Sequence, residues 1–186
     1  VSADDCNGNS DTYASWTFRK APKFFDIVTY TGNGASTRQI SHNLGSVPGM
    51  MIIKPYDADD DWKVYHRSLD SSNPADYALT LNSLAARADE SGFFGDTVPT
   101  SSVFTVGANL NSGFGGGVNY IAYLFAHNNG DGGFGPNGDL DIIKCGSFTT
   151  STGSGLAGPN IGFEPQWLMF KNSTSDQSGS WGMMDT

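Results

Sequence analysis

The densest set of potential ligand atoms in this chain is the run Asp57-Ala58-Asp59-Asp60-Asp61. Carboxylates at Asp57, Asp59 and Asp61 offer several hard oxygens to a Ca2+ ion. The spacing of a helix–loop–helix calcium loop fails, because its sixth position is Trp62 in place of the turn glycine. Its twelfth is Ser68 in place of the closing glutamate. A solvated turn between two strands is the plainer reading, and Asp4-Asp5 and Asp131 raise the same question with less support. His42, His66 and His127 have neither helical spacing nor a neighbouring cysteine, so they read as surface or turn residues and not as zinc ligands.

Nucleophilic catalysis needs a Ser or Cys beside a base and an orienting group. Gly153-Ser154-Gly155 lies in a loop, without the strand-to-helix context of a hydrolase elbow. Paired carboxylates could serve glycoside hydrolysis, but the aspartates fall in turns, where they have structural work. Gly113-Phe114-Gly115-Gly116-Gly117 lacks a phosphate-binding lysine and precedes a strand, so it reads as a hairpin turn. Cys6 and Cys145 read as two separate thiols. Asn172-Ser173-Thr174 is a glycosylation sequon, relevant only in a eukaryotic secretory pathway. No catalytic residue and no cofactor are assigned, and the expectation is a non-enzymatic protein. Trp62 and Tyr65, beside the aspartate run, are the pair best suited to stack on a sugar ring, with a shared core position as the competing explanation.

The elements that hold these residues are strands. Glycine is abundant at 24 residues, while Lys and Arg together number 10 and Glu occurs only at Glu90 and Glu164, a balance that favours strands and turns over helices. The net charge of −9 without a basic stripe argues against nucleic acid. No apolar run approaches the roughly 18 residues of a membrane span, and no leader is legible.

Strands are expected at Phe24–Tyr30, Thr37–Ile40, Met50–Ile53, Trp62–Tyr65, Tyr77–Leu81, Val103–Val106 and Val118–Phe125, with a helical turn in Ser83–Asp89. Four short stretches also echo one another. Phe25–Tyr30 resembles Leu140–Cys145, Pro48–Lys54 resembles Pro165–Lys171, and Trp62–His66 resembles Trp181–Asp185, at offsets of 115, 117 and 119 residues. Tyr13–Phe18 resembles Tyr120–Phe125 at an offset of 107.

The order is kept throughout, which predicts tandem antiparallel β-sandwich units of jelly-roll-like character with at most one short helix. Residues 1–20 would close a preceding unit, 21–127 form a complete one, 128–138 a Gly/Asn-rich linker, and 139–186 the first half of another. The chain is expected to continue at both ends, since Trp181–Thr186 falls within a strand.

Ser15–Asp26, Tyr30–Gly34, Ser41–Gly45 through Pro48, Trp62–His66, Pro99–Phe104 and Tyr120–Ala126 resemble a tandem domain found in tail-fibre and other virion proteins of marine bacteriophages. The likeness spans about Tyr13 to Asp185, and Cys145 departs from it where the first unit has Tyr30. It implies a virion structural protein, a tail fibre or appendage that adheres to the host surface. It also implies homo-oligomerisation, as a trimer, contact with other virion proteins, and a host glycan or protein as receptor. The resemblance carries no catalytic residues. A secreted or cell-surface bacterial adhesin that binds glycans is the alternative, and a polysaccharide-degrading enzyme a third reading.

Overall fold

Alternating side chains sort the longest strands between two hydrophobic cores. In the computed structural model, which describes residues 10, 12–113, 117–150, 160–174 and 180–185, the described residues form ten β-strands and one four-residue α-helix. The chain is an all-β protein.

Six strands make the main antiparallel sheet: β1 (Phe25–Thr31), β8 (Asn119–Ala126), β3 (Pro48–Pro55), β4 (Lys63–His66), β5 (Tyr77–Thr80) and β6 (Ala88–Asp89), in that spatial order. A second layer pairs β2 (Thr37–Ser41) with β7 (Val103–Gly107). A third pairs β9 (Trp167–Phe170) with β10 (Gly182–Asp185).

Period two explains the layering. Met51 and Ile53 of β3 point to the inner core with Tyr120, Ala122 and Leu124 of β8, where Ile40 of β2 and Phe104 and Val106 of β7 close over them. Met50 and Ile52 point the opposite way, to a second core with Phe125, Val64 and Leu79. Covered on both faces, β3 has no position for a solvated side chain, which is why its sequence is a continuous apolar run.

The outer core is covered by the later part of the chain: Ile143, Cys145 and Trp181 pack there. Asn128, 1 % exposed, fixes this covering segment. Its amide donates to the Lys23 carbonyl at 2.9 Å, and its Oδ1 accepts from the Ile142 and Ile143 amides at 3.1 and 3.3 Å. A buried amide with donor and acceptor both satisfied is a specific tether.

The strand expectations for residues 24–125 hold to within a few residues at their ends. Other expectations are corrected. Ser83–Asp89 forms no helix: Ala88 and Asp89 pair with Ala78 and Tyr77, while the Arg87 guanidinium lies 4.1 Å from the Tyr77 ring centroid and 3.5 Å from the Asp70 carboxylate. These contacts hold the backbone extended.

The short helix α1 instead occupies Ser91–Phe94, inserts Phe94 into the inner core, and stops at Gly95 with φ 59°. The Gly113–Gly117 stretch, of which residues 114–116 lie outside the described residues, does not join a hairpin. β7 pairs with β2 and β8 pairs with β1 and β3, so the connection crosses between layers.

Tyr13–Phe18 and Leu140–Cys145 are not strands either. Cys145 consequently sits in a loop against the outer core, whereas Tyr30 stacks on Tyr120 in the inner one, 5.0 Å between ring centroids.

Candidate functional site

The aspartate loop spans the β3–β4 turn, and its carboxylates point to different neighbours. Asp57 accepts from the backbone amide of Asn119 at 2.9 Å and from its side-chain amide at 2.6 Å, which fastens the loop to the start of β8. Asp61 accepts from Asn82 at 2.9 Å and Lys63 at 3.1 Å, on the opposite side. Both carboxyls are held below their usual range, Asp57 by the Asn119 donors and Asp61 by Asn82 and then Lys63. Asp59 is exposed. The loop's inner space is taken by the Lys54 ammonium, which donates to the Asp60 carbonyl at 2.6 Å. Among the described residues no three metal-ligating side chains converge. The Cys6, Asp4-Asp5 and Gly153–Gly155 readings lie outside the described residues.

Trp62 and Tyr65 do not share a face. Tyr65, 2 % exposed, lies in the inner core edge-on to Phe94 at 5.6 Å. Trp62 packs on the outer core with its ring 6.3 Å from that of Tyr123. Period two separates residues three apart in a strand, so the pair forms no common platform.

Trp181 also packs on the outer core, and its indole N–H donates to the Thr80 carbonyl at 3.2 Å. It borders an open groove of about 300 Å³ with Leu81, Asn82, Ser83, Leu84 and Ser180.

The histidines are structural, and His42 is buried rather than on the surface. The Nδ1 atoms of all three accept backbone amides: His42 from Leu44, His66 from Ser68 and His127 from Cys145, at 3.2, 3.2 and 3.1 Å. An Nδ1 that accepts cannot carry a proton. Burial, followed by the charges of Arg67 and His127, pushes His66 down to about 4. Burial also lowers His42 and His127. The thiol of Cys145 is buried, and burial pushes it up to about 12, which makes it a poor nucleophile.

The exposed apolar side chains gather elsewhere. On the β9–β10 hairpin Leu168 and Phe170 are each 39 % exposed, Met183 54 % and Met184 59 %. Tyr13, Trp16 and Phe18 are exposed on the N-terminal segment. Phe18 meets Trp167 at 5.8 Å, along with Phe24, Phe25 and Phe125. The indole N–H of Trp167 is buried without an acceptor among the described residues.

Sequence reasoning missed this patch as a site. Its signal was available in Trp167-Leu168-Met169-Phe170, a strand apolar on both faces.

The β9–β10 hairpin has a counterpart in the main sheet. β3 and β4 pair Met50 with His66, Met51 with Tyr65, Ile52 with Val64 and Ile53 with Lys63. β9 and β10 pair Trp167 with Asp185, Leu168 with Met184, Met169 with Met183 and Phe170 with Gly182. Offsets of 117 and 119 residues carry each pair of the first hairpin onto a pair of the second.

No curated protein and no solved structure matches the chain. A family model described as a domain of unknown function, DUF7483, matches residues 1–186, and the chain belongs to that family.

Proposed function

We propose that this chain is a non-enzymatic structural and adhesive module of a bacteriophage virion, serving in a tail fibre or similar appendage as a homo-oligomer such as a trimer. The observation that supports this reading is the common register of the β3–β4 and β9–β10 hairpins. A chain that repeats a hairpin in the same register is suited to serial assembly of sandwich units, here 21–127 and 139–186 joined through 128–138. Each added unit extends reach and contributes another weak contact, and linked weak contacts bind with avidity.

Contacts would be with other virion proteins and with a host surface glycan or protein. Among the described residues no helix is long and apolar enough to cross a membrane. Immunogold electron microscopy of the particles, with antibody raised against the chain, tests the proposal. Label on an appendage is expected, and label nowhere on the particle would end it.

One feature favours the glycan-binding adhesin as a second reading. The groove beside Trp181 combines an indole with the polar side chains of Asn82, Ser83 and Ser180, the mixture that stacks on and hydrogen-bonds to a sugar. A glycan array probed with the chain and with Trp181→Ala separates the two. Signal lost in the variant supports binding there, and uniform silence supports a spacer.

A further inference from the structure

A two-stranded hairpin is marginal by itself in water, and apolar strands with unpaired edges are ready templates for another strand. β9–β10 is such a hairpin, with four exposed apolar side chains. Its counterpart β3–β4 is flanked on both sides, with β8 along β3 and β5 along β4. Among the described residues no strand runs along the outer edge of β9.

The identity of the missing strand follows from the registers. β3 faces β8 through Met50–Phe125, Met51–Leu124, Ile52–Tyr123 and Ile53–Ala122. The segment that resembles β8 is Tyr13–Phe18, at an offset of 107 residues, and β9 lies 117 residues beyond β3. Carried over, the four pairs become Trp167–Phe18, Leu168–Thr17, Met169–Trp16 and Phe170–Ser15. The first of these already exists as a side-chain contact, with the Phe18 and Trp167 rings edge-on at 5.8 Å.

The backbone ladder is nevertheless not made within the chain, since residues 14–20 carry no strand. Lys20 explains this: its ammonium bonds to Asp26 at 2.7 Å and to the Ile27 carbonyl at 3.0 Å, which clamps the segment beside its own β1. Phe18 is held in the same place by Phe24, Phe25 and Phe125.

We propose that the outer edge of β9 receives residues Ser15–Phe18 of a second copy of this chain, antiparallel, with Phe18 opposite Trp167. In that second copy the clamp leaves the residues before Lys20 as a projecting arm. How the arm meets β9 is then set by the approach of the two copies and not by the short link to β1. Exchange of one element between identical chains is a low-cost route to association, and strand addition supplies main-chain hydrogen bonds for affinity with alternate side chains for register. This inference is independent of where the protein resides, so loss of the virion reading would leave it standing.

Mixing tests it directly. Full-length chains carrying Phe18→Cys are combined with chains carrying Trp167→Cys, both with Cys6→Ser, and oxidised mildly. Directly opposed cross-strand residues lie about 4.5–5.5 Å apart at Cβ, close enough to bridge. A disulfide-linked heterodimer is expected, at least about tenfold above a mixture carrying Thr29→Cys in place of Phe18→Cys. Heterodimer at the level of that control overturns the proposal, as does a doubly substituted chain that closes only on itself.

Sedimentation of the unsubstituted chain between about 1 and 100 μM gives a second readout. Association is expected, and Thr17→Pro, which removes a ladder donor from the exposed arm, should weaken it at least about tenfold. A chain monomeric across the range, or association indifferent to Thr17→Pro, overturns the proposal.

Discussion

Gly49 and Cys145 touch across the outer core: a Cβ placed on Gly49 would lie 2.8 Å from both Cβ and Sγ of Cys145, and 2.8 Å from Cβ of His127. Gly49 sits at the register irregularity between Pro48 and Met50, where β3 bends against the end of β8. The covering segment closes onto the sheet here because this residue has no side chain. Gly49→Ala should destabilise by about 1–3 kcal/mol, the usual cost of overpacking. Cys145→Ala should recover part of that loss, and urea denaturation of the two single variants and the double variant measures the coupling. Additive effects would show that the segment does not lie there.

Asn128 is the second fastening of the same segment. Asn128→Ala removes one donor and one doubly used acceptor, leaving the Ile142 and Ile143 amides without that partner, at a cost of about 1–3 kcal/mol. The distinguishing readout is hydrogen exchange. Amides of residues 142–145 should lose protection while those of β3 and β8 keep theirs at native conditions. Equal loss throughout would mean that the segment and the sheet unfold as one unit.

Asp26 shows how a buried carboxylate is kept charged. Burial raises its pKa, but the Lys20 ammonium and the Asn43 and Ile27 amides outweigh that effect and hold it below the ordinary value. A lowered folded-state pKa adds stability that is complete above the unfolded value near pH 4 and lost as pH falls through the folded value. Asp26→Ala should cost about 1–3 kcal/mol at pH 7, since two backbone amides lose their acceptor. Lys20→Met should cost under about 1 kcal/mol, because the ammonium is largely solvated. Thermal melts at pH 7 and pH 3 should show the Asp26→Ala penalty shrinking in acid.

The histidines set a second, milder pH dependence. Each folded-state value is lowered, so the unfolded chain binds more protons below about pH 6.5. Stability should therefore be full above pH 6.5 and decline as the solution is acidified toward pH 4, where His66 titrates. NMR titration of the imidazole C–H resonances checks this, and a His66 midpoint near 6.5 would contradict the buried, accepting Nδ1.

Much of the fold was legible because one-dimensional chemistry dictates it. The apolar run Met50–Ile53 fits a strand covered on both faces, and alternation in Tyr120–Phe125 fits a strand between two cores. The likeness of Pro48–Lys54 to Pro165–Lys171 led to a second hairpin in the same register. These signals are local, since a period of two and a bounding turn lie within a few residues.

What the chain alone left undecided depends on partners distant in sequence. Arg87 is extended because Tyr77 and Asp70 await it, so the helical turn expected around Leu84–Ala88 gave way to tertiary contacts. His42 is buried only because Phe104 and Thr100 arrive from beyond β6. Trp62 and Tyr65 were separated by the pleat, and Asp57 and Asp61 by donors on different strands. Residue types state what each group is able to do, whereas the company it keeps is set by packing across the sheet, where neighbours come from remote parts of the chain.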